Sequence, residues 1–215
     1  MDTKLDSYDR LVVLGRRLFG AKVAFKNESK LMKFLSILLF FNRHFMTRYT
    51  TVIGNTVYFP SREWLKMNRI AAARTLCHEL VHISDEKNVG TIAFRLSYLF
   101  PQWLSLFSLT ALIVGPWALL FLLFLAPLPA PFRAFWELRG YAMTDAVLFS
   151  QYKQFSDRNF LEKQFIGSNY YYMWPFTKSL HEEIDNNRNL IKLGKLDKKI
   201  VDGSKILAAY TGKSG

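Results

Sequence analysis

His78-Glu79-Leu80-Val81-His82 is the stretch on which the reading of this chain turns. On an α-helix, residues four apart stand about one turn from each other on the same face. Two imidazoles at this spacing can converge on a single ion. Glu79 lies next to the first of them, where its carboxylate can reach a water held by that ion. Zinc lowers the pKa of such a water from about 15.7 towards 7, so the carboxylate can take its proton as the water attacks a carbonyl. Leu76, Cys77, Leu80, Val81 and Ile83 frame the polar triplet in apolar side chains. Cys77 points away around the helix and reads as a small buried hydrophobe.

Working outwards, the motif falls within a helix predicted over residues 62–87, with Ser61 as its N-cap after Pro60. Two β-rich runs, 47–53 and 56–59, flank the turn dipeptide Gly54-Asn55 and predict a β-hairpin. That hairpin would offer an edge strand to an extended peptide. A short strand is expected over 22–26. A helix is expected over 8–20, ending at Gly20. Residues 28–42 predict a helix apolar on more than one face, read as a core helix, with partial membrane contact as the alternative. His44, in a basic stretch, reads as a surface residue.

A hydrolytic zinc site uses three protein ligands and leaves a position for water. Two carboxylates compete for the third place. Glu137 lies in Phe135-Trp136-Glu137-Leu138-Arg139-Gly140-Tyr141-Ala142, on a helix predicted over 134–152. Asp85 lies seven residues after His78 on the same helical face, where it can ligate the ion or orient His82. The bland reading of Glu137 is a surface carboxylate paired with Arg133 or Arg139.

With both histidines and Glu137 in place, the chain resembles the gluzincin group of metallopeptidases over roughly residues 47–150. In that group the histidines of H-E-x-x-H are joined by a Glu on a later helix, often followed within a turn by Ala or Gly and an aromatic residue. It is similar, more loosely, to small metallopeptidase-like proteins of tailed phages. The resemblance implies a zincin-like fold, with His78, His82 and Glu137 as ligands of Zn2+ and Glu79 as general base. Groups whose third ligand follows H-E-x-x-H-x-x-G-x-x fit poorly. Asp85 replaces their Gly, and Asn88 stands where their His or Asp would be. An oxyanion needs a donor, and the candidates are Tyr141, Tyr171 within the cluster 170–172, and His181.

Residues 96–132 contain no Asp, Glu, Lys, Arg or His. This segment separates His82 from Glu137, so one shared ion requires the chain to go out and come back. Gly115-Pro116 near the middle predicts a helical hairpin with arms of about 16 to 18 residues, marginal for a bilayer crossing. Tyr98, Trp103, Trp117 and Trp136 are expected at the interfaces, and Arg95, Arg133 and Arg139 near anionic headgroups. A buried hairpin or an oligomer contact is the alternative.

The 215 residues suffice for one core, and half of them are hydrophobic, which excludes a disordered chain. A single cysteine excludes an internal disulfide. The net charge of +12 points to an anionic partner, with lipid expected rather than nucleic acid. Residues 186–215 carry seven Lys or Arg against two Asp and predict a basic C-terminal tail. The N-terminus lacks the apolar stretch of a signal peptide. The expectation is therefore a single domain over 1–215 on the cytoplasmic side of a membrane. Its class is α+β, mainly α, zincin-like, with a small N-terminal β-hairpin or sheet and an inserted apolar hairpin. The function expected is hydrolysis of polypeptide by zinc-activated water. A non-enzymatic membrane-inserting or lysis-related protein with a structural or vestigial metal is the alternative, and a cell-wall amide is an alternative substrate.

Overall fold

A computed structural model describes residues 5–38, 40, 44–47, 49–167 and 172–212. The fold is α+β and mainly α, as the sequence predicts. Helix α1 (Ser7–Phe19) starts where the Asp6 side chain accepts from the Asp9 backbone N–H, and stops at Gly20, whose φ of 66° suits a residue without a side chain. Strand β1 (Lys22–Phe25) follows. It pairs in parallel with β3 (Thr56–Phe59), which in turn pairs antiparallel with β2 (Thr51–Ile53) across the Gly54-Asn55 turn. The sheet order β1-β3-β2 leaves β2 at an edge.

Helix α2 (Lys30–Leu38) is not the expected core helix. Only Met32 is buried, while Leu31, Phe34, Ile37 and Leu38 face outwards. The helix predicted over 62–87 is two helices, α3 (Arg62–Met67) and α4 (Arg69–Val89). The break falls at Asn68, whose side chain donates to the Trp64 carbonyl at 2.9 Å and competes with the helical ladder. Helix α4 is the centre of the fold. Its residues 80–85 are all buried, so water is excluded from the whole circumference. One core cluster joins α4 to α1, the sheet, α7 (Pro131–Tyr152) and α10 (Gly203–Thr211). A second lies among α7, α8 (Arg158–Ile166) and α9 (Thr177–Lys192).

Two further expectations change. The basic segment 186–215 is no loose tail, because Leu196, Ile200, Ile206 and Tyr210 enter the core. Residues 96–132 do go out and return, but in a different form. After α5 (Thr91–Tyr98) come a 3-10 helix (Gln102–Thr110) and a short α6 (Ala111–Val114). The chain then turns at Gly115 and returns as a second 3-10 helix (Pro116–Leu125). The arms are shorter than 16 to 18 residues. No single helix among the described residues is long and apolar enough to cross a membrane, although α5 and Gln102–Val114 form one bent pair that passes by length and composition.

Candidate metal centre

Helices α4 and α7 pack side by side, and their contact brings His78, His82 and Glu137 together. The His78 and His82 Nε2 atoms stand 3.0 Å apart. Glu137 Oε2 lies 3.3 Å from His78 Nε2, and Glu137 Oε1 lies 3.7 Å from His82 Nε2. Ligands about 2.0 to 2.1 Å from a tetrahedral ion stand about 3.3 Å from one another, so the three donors have the separations an ion would require. Glu137 is 2% exposed, and its Oε2 is buried with no hydrogen-bond partner. An orphaned carboxylate oxygen between two imidazoles is an expensive arrangement that a cation would relieve. The donor set therefore fits a metal.

The electrostatics follow from burial and crowding. Burial alone would raise the Glu137 pKa, but the two imidazoles beside it and the Tyr98 hydroxyl hold it down at about 2. Burial lowers His82 to about 4, against the pull of Glu137. His78 is also buried, yet Glu137, Glu79 and the Gly140 backbone raise it overall. Burial pushes Glu79 up to about 7, with His78 opposing and Glu137 assisting.

Gly140 shows how closely α7 approaches. A Cβ on it would lie 2.5 Å from His78 Cε1, so only glycine admits the imidazole here. Its backbone lies close enough to the ring to favour the charged form of His78. Tyr98, at the end of α5, donates its hydroxyl to Glu137 Oε1. Burial and the neighbouring carboxylate raise its pKa well above 10, which keeps that donor protonated.

Asp85 is not among the converging ligands. It is buried one turn beyond His82 and takes both arms of Arg139, with Nε to Oδ2 at 2.8 Å. This ion pair ties α4 to α7 beside the centre, and Arg139 also donates to the Lys199 carbonyl. Glu137 accordingly is no surface partner of Arg133 or Arg139. Arg133 bonds the Tyr98 carbonyl and Gln102 Oε1. Tyr98 and Trp136, expected at interfaces, are internal. The Trp136 indole donates to Ser97 Oγ at 2.9 Å.

The centre opens into a cavity of about 410 Å³. It is lined by Val52 and Ile53 of edge strand β2 and by Glu79, Arg95, Tyr98 and Leu99. Of the expected oxyanion donors, Tyr141 and His181 do not line it. Tyr141 packs its ring edge-on against His78 at 4.9 Å and against Phe165. His181 pairs with Glu162 at 2.8 Å. Tyr171 lies outside the described residues. Sequence reasoning missed Tyr98 as a partner of Glu137, the Asp85–Arg139 brace and the role of Gly140. One signal was available: Asp85 and Arg139 each stand within three residues of a metal ligand on the two helices that must meet. Comparison with protein-family models, curated proteins and solved structures finds no match to this chain.

Proposed function

We propose that this chain is a zinc metallopeptidase of gluzincin type. The reading rests on one observation: His78, His82 and Glu137 converge at ion-ligand spacing, with Glu79 lining the cavity beside them. Two imidazoles and a carboxylate are a donor set of hydrolytic zinc, which would supply Lewis acidity and an acidified water at the open position.

The remaining work falls to side chains of the protein. Glu79, on the cavity side of α4, takes a proton from the attacking water and returns it to the departing amine. Burial lifts this carboxyl in the metal-free site, and beside a bound cation it is drawn back down and left ionised to take the proton. Tyr98 orients Glu137 from behind. Among the described residues β2 pairs only with β3, so its outer edge is free to align an extended backbone across the cavity. Arg95 also lines the cavity and is a donor that a developing oxyanion could use.

The test compares wild type with Glu79→Gln on casein and on peptidoglycan fragments, with zinc content measured in both. Zinc should stay in both proteins, and hydrolysis should fall by about 10²- to 10⁴-fold in the variant. Unchanged hydrolysis in Glu79→Gln, or a wild type that takes up no zinc, overturns the proposal. The exposed apolar hairpin favours a second reading, a membrane protein with a structural ion. Zinc bound by a wild type that cleaves neither substrate is the outcome that selects it.

A further inference from the structure

The hairpin formed by residues 102–125 has its polarity reversed. Ser105 and Ser108, each 8% exposed, and Ala118 at 0% are turned inwards. Leu112 at 98%, Ile113 at 86% and most of Leu106, Leu109, Leu120 and Leu123 face outwards. Gln102, at the root, accepts from Arg133, and two further polar groups close on the hairpin's own backbone. Thr110 Oγ1 donates to the Phe107 carbonyl, and the Trp117 indole to the Val114 carbonyl, each at 2.7 Å. A soluble hairpin hides its leucines between the arms and shows its serines to water. Small residues between helices and bulky apolar ones outside is the arrangement of helices packed in lipid, where backbone groups must also be satisfied internally.

A second copy of the chain would not serve as well. Exposed leucines occupy both arms and the tip, and an isologous contact covers one face only. Hydrocarbon wets every side at once. The arms are about 24 and 20 Å long at the helical rises involved, against about 30 Å for a hydrocarbon core. The chain therefore enters and returns without emerging. The net charge of +12 complements anionic headgroups.

We infer that the hairpin inserts into one leaflet of an anionic bilayer as a monotopic anchor. Tyr98 and Leu99 lie at its root and also line the metal cavity, so insertion brings the cavity to the headgroup layer. The inference goes beyond the peptidase reading and does not depend on it.

The test is flotation of the full chain with phosphatidylcholine–phosphatidylglycerol vesicles and with phosphatidylcholine alone. Wild type should float, more so with the anionic lipid. A double variant, Leu112→Asp with Ile113→Asp, should float about tenfold less or worse, with unchanged circular dichroism and zinc content. Equal flotation of the variant overturns the inference. So does a wild type that stays at the bottom, including one that forms a dimer which the variant breaks. A second measurement covers a variant that fails to fold. An environment-sensitive fluorophore attached through Ile113→Cys (Cys77 being buried) should shift to the blue on adding anionic vesicles. Unchanged emission overturns the inference.

Discussion

In the α4–α7 pair the polar side chains His78, His82, Asp85 and Glu137 are buried, with Arg139 close behind. In the hairpin that lies between those two helices in sequence, the side chains nearest to water are Leu112 and Ile113. Both regions invert the usual sorting of residues, for different reasons. Buried charge survives only where each group has a partner, and here the partners are Arg139 for Asp85 and the imidazoles and Tyr98 for Glu137. Exposed leucine needs no partner inside the protein, only a phase that is not water. A change in the first region should therefore be felt by the whole fold. In the second it should be felt mainly where lipid is present.

The largest effect expected from breaking that contrast is Arg139→Ala. It strands Asp85 as a buried, unpaired carboxylate and should remove about 3 to 5 kcal/mol of stability, read by urea denaturation. Loss of less than about 1 kcal/mol would mean that the brace does not hold the helices.

Acid comes next. The unfolded chain takes up a proton at His82 near pH 6.5, the folded chain only near 4. The His82 contribution to the stability of the metal-free protein is thus complete above about 6.5 and falls as pH drops towards 4, by about 3 kcal/mol. Glu79, raised to about 7, acts in the opposite sense and loses its contribution as pH climbs from about 4.5 to 7. His78, whose pKa is raised, also loses its contribution as pH climbs above 6.5. Glu79→Gln should therefore uncover the His82 limb as a fall in melting temperature of the metal-free protein from pH 6.5 to 4.5. A melting temperature of that variant that is flat over this range would refute this.

Smaller effects are expected at the groups that position the ligands. Gly140→Ala pushes a methyl group into the His78 ring and should weaken zinc binding by about 10- to 100-fold in competition with a chelator. Tyr98→Phe deletes one hydrogen bond to Glu137 and should cost about tenfold. Unchanged affinity in both would leave the ligands ordered by the ion alone. The smallest effect belongs to the hairpin. In lipid-free solution Leu112→Ser should change stability by less than about 0.5 kcal/mol, because the side chain touches almost nothing. A loss above 1 kcal/mol would reveal a protein partner for that surface.

Much of the site was legible because its spacing is local. His78 and His82 share a face by helical period alone, and Gly54-Asn55 names its own turn. Glu137 was singled out by the resemblance to the gluzincin pattern, with Asp85 left as a rival. Tyr98 was not. It looked like an interface aromatic at the edge of an uncharged segment, and only the packing of α5 against α7 aims its hydroxyl at Glu137. The role of Asp85 was left open for a similar reason. Its place on the ligand-bearing helix is a one-dimensional fact, whereas its bond to Arg139 depends on how two helices cross.

The sequence by itself determined the placing of His78 and His82 on one helical face with Glu79 beside them, the class of the fold, and the outward and return path between Gly90 and Pro131. Each of these follows from periodicity, turn chemistry or the absence of charge, which are properties of neighbours along the chain. Tertiary structure alone decided that Glu137 is a buried carboxylate beside both imidazoles and that Asp85 pairs with Arg139 instead of joining them. It also decided that the hairpin turns its serines inwards and its leucines outwards. Those outcomes depend on which surfaces meet across 50 or more residues and what each must give up to water, and no local pattern carries that information.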